Sequence, residues 1–325
     1  MKPNRPYPSK PSSSKPSSSK PSSSSKPSSS SKPPRSSSRS APPPQKRLGR
    51  PPWEAPPAPK PAPAPRAPSP AKAALSPELS VYGRHAVEAT LRFQPERAEE
   101  LFYVDHTELK PIVALAKQRG IACTQVQLAD VDALVGGRDQ AVAQGVALKC
   151  SEFPYASVHD FDKAPDLTLV LDGVVDPRNL GAAVRAAYAL GAGLVLVPAD
   201  RAATATAAAV KASAGALCRV PFARETNLRR ALEILREKGA WIVGAEADGD
   251  KAPWEIDLSG PTVLVVGGED RGLRRLTREI CDHVTAIPMP ADDMSLNAAD
   301  AASLLLYEVL RQKKTGPGGK APART

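Results

Sequence analysis

The sequence predicts an α/β protein: a parallel sheet with helices on both faces over residues 167–313, a smaller α/β unit over 81–151, and a disordered basic tail over 1–80. Three observations carry this. From Leu167 onward, runs of Val, Leu and Ile alternate with segments of helical period, and strands apolar on both sides belong to sheets covered on both faces. From Val81 to Ser151 a shorter alternation of the same kind occurs, and the mixed-polarity stretch 152–166 between them reads as a linker. Residues 1–80 hold 23 of the 36 prolines and the near-repeat "KPSSSKPSSSKPSSSSKPSSSSKPP", which leaves almost nothing to bury.

The elements of the smaller unit follow from apolar runs bounded by Gly or polar clusters: helix "GRHAVEATLRF", strand "ELFYVD", helix "LKPIVALAKQRG", strand "IACTQVQ", a short helix "LADVDALVG" and strand "GVALKC". The larger unit starts with strand "LTLVLDGV" and a helix from Asn179 to Leu190, stopped by Gly191. It continues with strand "LVLVP", a helix around "AAVKASAGAL", strand "RVPF", helix "NLRRALEILREKG" and strands "WIVGAEA" and "TVLVVGG". Helix "LRRLTREIC", strand "HVTAIPM" and helix "NAADAASLLLYEVLRQ" complete it, and residues 314–325 read as a second tail.

Charge divides unevenly along the chain. Residues 1–80 carry 15 Lys and Arg against 2 Asp and Glu, which leaves 29 basic and 32 acidic residues, about −3, for the rest. A polycationic tail favours a polyanion, nucleic acid above all, through counterion release, and a solubilising spacer is the plainer alternative. There is no apolar run of membrane-spanning length and no secretory apolar core, so the expected location is cytoplasmic. Cys123, Cys150, Cys218 and Cys281 lie far apart without Cys-x-x-Cys spacing, so neither a metal site nor a disulfide framework is expected.

Ligands of parallel sheets bind beyond the carboxyl ends of the strands, which directs attention to three loops. In "LDGVVDPRNLGAAVRAA" (171–187), Asn179 is placed to cap a helix beginning at Leu180, and Arg185 stands one turn above Gly181, where a phosphate or ribose has room to approach. In "VVGGEDRGL", Gly267 and Gly268 let backbone approach a flat ligand, and Glu269 is held at the strand end. The loop lacks both Gly-x-Gly-x-x-Gly and the Lys-Ser or Lys-Thr of a P-loop. In "IPMPADDMSLNAADAASLLLYEVL", Ile287 and Met289 end a strand and Ser295, Leu296 and Asn297 open a long apolar helix, where Ser or Asn serves as a cap. A capped helix with a solvated Arg is an adequate reading of the first loop taken alone.

Together, in this order and spacing, the three loops resemble the three motifs of the SpoU (TrmH-type) ribose 2′-O-methyltransferases of the SPOUT superfamily. The resemblance covers nearly all of residues 81–313, because "YGRHAVEATL" and "QGVALK" look like that family's ribosomal-protein-like RNA-binding domain. Within the family, "LDGVVDPRNLGAAVRAA", "GLRRLTREICD" and "IPM" resemble the branch that methylates a guanosine ribose of 23S ribosomal RNA. The resemblance implies a trefoil knot at the carboxyl end of the sheet, S-adenosylmethionine as cofactor, RNA as partner, a homodimer, and neither DNA nor membrane. It implies that Gly267, Ile287 and Leu296 line the cofactor, while Asn179, Arg185, Glu269, Ser295 and Asn297 form the catalytic, RNA-facing cluster.

No histidine lies in the three loops, and a guanidinium stays protonated in proteins. Arg185 is therefore read as binding a phosphate or the developing alkoxide, with RNA phosphate or water taking the proton; a deprotonated Arg185 acting as base stays open. Two positions depart from the family's pattern. Asp300 replaces an apolar residue facing the knot, where it would weaken packing or pair with an Arg of a partner subunit, and Ala143 stands where a His is usual. Two alternatives stay open: a transfer-RNA ribose methyltransferase, and a non-catalytic RNA-binding or ribosome-assembly protein of the same fold.

Overall fold

The computed structural model describes residues 75–76, 79–135, 143–269, 271–290 and 294–315. The tail expected over 1–80 lies almost wholly outside the described residues, as does most of 314–325. The smaller unit holds β1 (Ser80–Tyr82), α1 (Arg84–Phe93), β2 (Ala98–Tyr103), α2 (Lys110–Gln118), β3 (Ala122–Gln125), α3 (Leu128–Leu134) and β4 (Val146–Cys150). Its sheet runs β1-β4-β2-β3, with β2 and β3 parallel and the other pairs antiparallel. Strand β1 was not expected: three residues are too short to show a period, and its pairing with β4 makes it a strand. Ala143 is buried with Tyr82, Val131, Ala147 and Ala207, so at this position a small apolar side chain fills a packed contact.

The larger unit holds β5 (Leu167–Asp172), α4 (Pro177–Ala189), β6 (Leu194–Pro198), α5 (Ala207–Ala212), β7 (Phe222–Glu225), α6 (Leu228–Glu237), β8 (Trp241–Ala245), β9 (Thr262–Gly267), α7 (Arg275–Ile280), β10 (His283–Thr285) and α8 (Ala298–Thr315). Six strands form one sheet in the order β10-β8-β9-β5-β6-β7, every neighbouring pair parallel. The period of two then explains the apolar runs. Leu167, Leu169, Leu171, Val195, Val197, Leu264 and Val266 pack with α4, α5 and α8 on one face. Val170, Leu194, Leu196, Val263 and Val265 pack with α6 and α7 on the other.

Three boundaries moved for identifiable reasons. The expected strand "RVPF" shifts to Phe222–Glu225, because Pro221 has no N–H for the ladder and only its carbonyl is used, accepting from Val195 N. The expected strand 283–289 ends at Thr285, ahead of Pro288 and Pro290. The expected helix 208–217 breaks into α5 and a 3-10 turn, Ala216–Cys218, at Gly215, whose φ of 82° is left-handed. A Cβ on Gly215 would lie 2.3 Å from the Ala89 Cβ, so this glycine is where α1 rests on the larger unit.

That contact makes the two units share one core. The buried cluster beneath α4 and α8 continues through Leu217 and Cys218 into Ala86, Ala89 and Leu91. The intervening stretch 152–166 is pinned: Phe153 and Tyr155 pack on Phe222, Ala156 bridges to Ala223, and the Lys238 ammonium donates to the Val158 and Phe161 carbonyls. Burial at this junction pushes the Cys150 thiol up from 9.0 to about 12. A raised thiol keeps its proton in the folded state while the unfolded chain ionises, so its stabilising contribution is intact below about pH 9 and is lost as pH rises toward 12. Urea midpoints measured from pH 8 to 11 should fall more steeply for the native protein than for Cys150→Ala; equal slopes would contradict this assignment.

Candidate active site

Helix α4 begins at Pro177, with Asp176 as its cap: the Asp176 carboxylate accepts from Arg178 N at 2.8 Å, and Pro at the first helical position loses no bond. Asn179 therefore does not cap α4, as the sequence suggested. It sits in the first turn with its amide free for other partners. Its Nδ2 donates to Glu269 Oε1, and its Oδ1 accepts from Asn297 Nδ2 at 3.1 Å. Asn297 is held in turn, since its Oδ1 accepts from Ala299 N at 2.8 Å and so caps α8. One residue from each loop thus joins a single hydrogen-bonded chain, Glu269–Asn179–Asn297.

Beside this chain lies a cleft of about 250 Å³ at the carboxyl ends of β8, β9 and β10. Gly267, Glu269, Ile287, Ser295 and Leu296 all line it, so it gathers the expected cofactor residues and two of the expected catalytic cluster. Val266, Met289, Ala298 and Ala301 add apolar wall. Gly267 and Gly268 border the cleft, and they also meet a packing demand that the sequence did not show. A Cβ on Gly267 would lie 2.2 Å from the Gly272 carbonyl carbon, and one on Gly268 would lie 2.5 Å from the Gly173 oxygen. They are small because backbone packs directly on backbone there, with Gly272 N donating to Gly268 O at 2.9 Å. Gly181 is likewise packed against α5, where a Cβ would meet Ala212 Cβ at 2.5 Å, so it is a helix-packing residue and not an approach for phosphate.

Arg185 is not brought into the chain. Six residues beyond Asn179, it lies about 9 Å up the helix and roughly two-thirds of a turn around it. It is exposed and makes no hydrogen bond or ion pair among the described residues. Asp300 is exposed as well, in the first turn of α8, where a negative charge complements the helix dipole; it does not face the core as its alignment with an apolar position implied. The sequence missed the end of β8, where Ala245, Glu246 and Ala247 complete the cleft. The rule that ligands sit beyond strand ends applied to β8 equally, but no glycine cluster or cap marked its loop.

Buried Asp172, at the end of β5, stiffens the floor. Its carboxylate accepts from Arg274 N at 2.9 Å and pairs with Arg274 Nε at 3.1 Å, while Arg274 Nη2 reaches Asp200 O at 2.8 Å. The resulting site has glycine backbone, apolar walls, two carboxylates and an amide chain at one end. Those features fit S-adenosylmethionine: apolar surface for an adenine, backbone polar groups for its edge, and carboxylate oxygens to accept from its hydroxyl groups.

Fold and site together fit an S-adenosylmethionine-dependent methyltransferase, and similarity to known proteins adds RNA as the substrate. The chain belongs to the SpoU rRNA methylase family, whose model matches residues 166–307, while the model for RNA 2′-O ribose methyltransferase substrate binding matches 80–156. Among its relatives is the 23S rRNA (guanosine-2′-O-)-methyltransferase RlmB of Pseudomonas syringae pv. tomato, 40% identical over 238 residues, covering 72% of this chain and 95% of that protein. An uncharacterized tRNA/rRNA methyltransferase of Mycobacterium sp. (strain KMS) is 41% identical over 245 residues, covering 72% and 77%. A solved structure of the SpoU methyltransferase AviRb from Streptomyces viridochromogenes, in complex with AdoMet, superposes with a TM-score of 0.62 at 26% identity, over 72% of this chain and 90% of that one.

Proposed function

We propose that the protein transfers the methyl group of S-adenosylmethionine to a ribose 2′-hydroxyl of RNA, the target being a guanosine of 23S ribosomal RNA. The single observation that carries this is the Glu269–Asn179–Asn297 chain at the mouth of the cleft, in a chain 40% identical to an RlmB enzyme. The cofactor supplies an electrophilic methyl group; the protein positions the hydroxyl and handles charge. Gly267, Ile287 and Leu296 hold the cofactor. Asn179, Glu269, Ser295 and Asn297 orient the ribose, with the two asparagines fixed by each other and by the cap of α8. Arg185, exposed and unpaired among the described residues, binds the adjoining phosphate. The proton passes to RNA phosphate or water.

The trefoil knot belongs to this reading, supported by the strand order that carries the chain from edge strand β10 back to α8, packed on α4. So does a homodimer, supported by the apolar outer faces of those two helices, where Leu304, Tyr307 and Tyr188 stand 51%, 59% and 42% exposed. No helix among the described residues is long and apolar enough to cross a membrane, and a ribosomal RNA substrate supports a cytoplasmic location. The test is transfer of labelled methyl to unmodified large-subunit ribosomal RNA and, separately, to transfer RNA, with Arg185→Ala as control. Label in ribosomal RNA that vanishes in the variant is expected; near-normal turnover by Arg185→Ala would sink the assignment.

A further inference from the structure

We infer that Glu246 is the residue that grips the ribose diol of the methyl donor, a role that rests on reading the cleft as the cofactor site. Glu246 is the first residue beyond β8, the parallel neighbour of β9, whose glycine turn forms the adjoining wall. An acidic side chain at one strand end beside a glycine turn at the next is the arrangement by which parallel sheets hold nucleoside riboses. The side chain is only 12% exposed, yet it lines the cleft.

It is also unusually well fixed. Oε1 accepts from Leu273 N at 2.9 Å, Oε2 pairs with the Arg278 guanidinium, and the backbone N donates to Thr285 O at 3.0 Å. Oε2 is buried against Arg278, which leaves the second lone pair of Oε1 to accept from a ribose hydroxyl of the diol. Two other polar side chains of the wall suit a diol less. Glu269 is exposed and bonded to Asn179, and Thr285 Oγ1 donates to the Lys251 carbonyl.

The test measures binding, not turnover. S-adenosylhomocysteine and its 2′,3′-dideoxy analogue are titrated calorimetrically into the native protein, Glu246→Gln and Glu246→Ala, each checked by its melting curve. The native protein should prefer the diol-bearing ligand by about tenfold or more. Glu246→Ala should bind both ligands alike, and Glu246→Gln, which keeps an acceptor for Leu273 N, should show a reduced preference. Full discrimination surviving in both variants, or none in the native protein, overturns the role of Glu246. Failure of the native protein to bind S-adenosylmethionine or S-adenosylhomocysteine at all overturns the cofactor reading beneath it.

Discussion

Asn179→Ala should lower methyl transfer by about 100- to 1,000-fold while leaving S-adenosylmethionine affinity within a few-fold of the native value. The magnitude is that of removing one preorganised polar group from a transition-state site. Asn179 is the middle member of the chain, so its loss frees Glu269 at one end and uncouples Asn297 at the other. The fold should be unaffected, because the α4 cap is Asp176. Asp176→Ala supplies the contrast: it should cost about 1 kcal/mol of stability and spare the chemistry. Single-turnover rates and denaturation midpoints for both variants decide the matter. An Asn179→Ala enzyme that is slow only because it is partly unfolded would return Asn179 to a structural role.

Gly267→Ala should be the most damaging single-methyl change in the cleft. The added carbon would lie 2.2 Å from one backbone atom and 2.5 Å from two others, none of which belongs to a flexible side chain. Ordinary overpacking costs about 1–3 kcal/mol, and here relief requires the 268–272 turn to move as a body. Cofactor affinity should fall at least about tenfold, together with the melting temperature. Calorimetric titration with S-adenosylmethionine reads the first and a thermal melt the second. Native affinity in Gly267→Ala would show that the turn is compliant and does not shape the cleft.

The three loops were legible in the sequence because they follow strands of a parallel sheet and, in order and spacing, resemble one family's motifs, although a cap or a turn explains each taken singly. What was misread was the division of labour. "Asp-Pro-Arg-Asn" contains two possible caps, and Asp before Pro at the first helical position is the stronger start signal, which frees Asn179 for Glu269 and Asn297. Gly181 looked like an opening for a ligand, since a sequence shows a missing side chain and not what occupies the space, here Ala212 of α5. Glu246 went unnoticed because a lone acid after a strand has no period and no spacing. Arg185 was grouped with Asn179 by the family resemblance, and 3.6 residues per turn place it on another side of α4, outside the hydrogen-bonded chain.

The bond between Asn297 and Asn179 spans 118 residues. During synthesis at about 5–20 residues per second, Asn179 leaves the ribosome on the order of ten seconds before Asn297 does. Until the start of α8 arrives, the early asparagine has no fixed orientation. A nascent chain with β5, α4 and its RNA-docking unit already built still lacks the arrangement that aims a ribose, so competence arrives as a late event in biosynthesis. Truncated products of interrupted translation would accordingly reach RNA without being able to mark it.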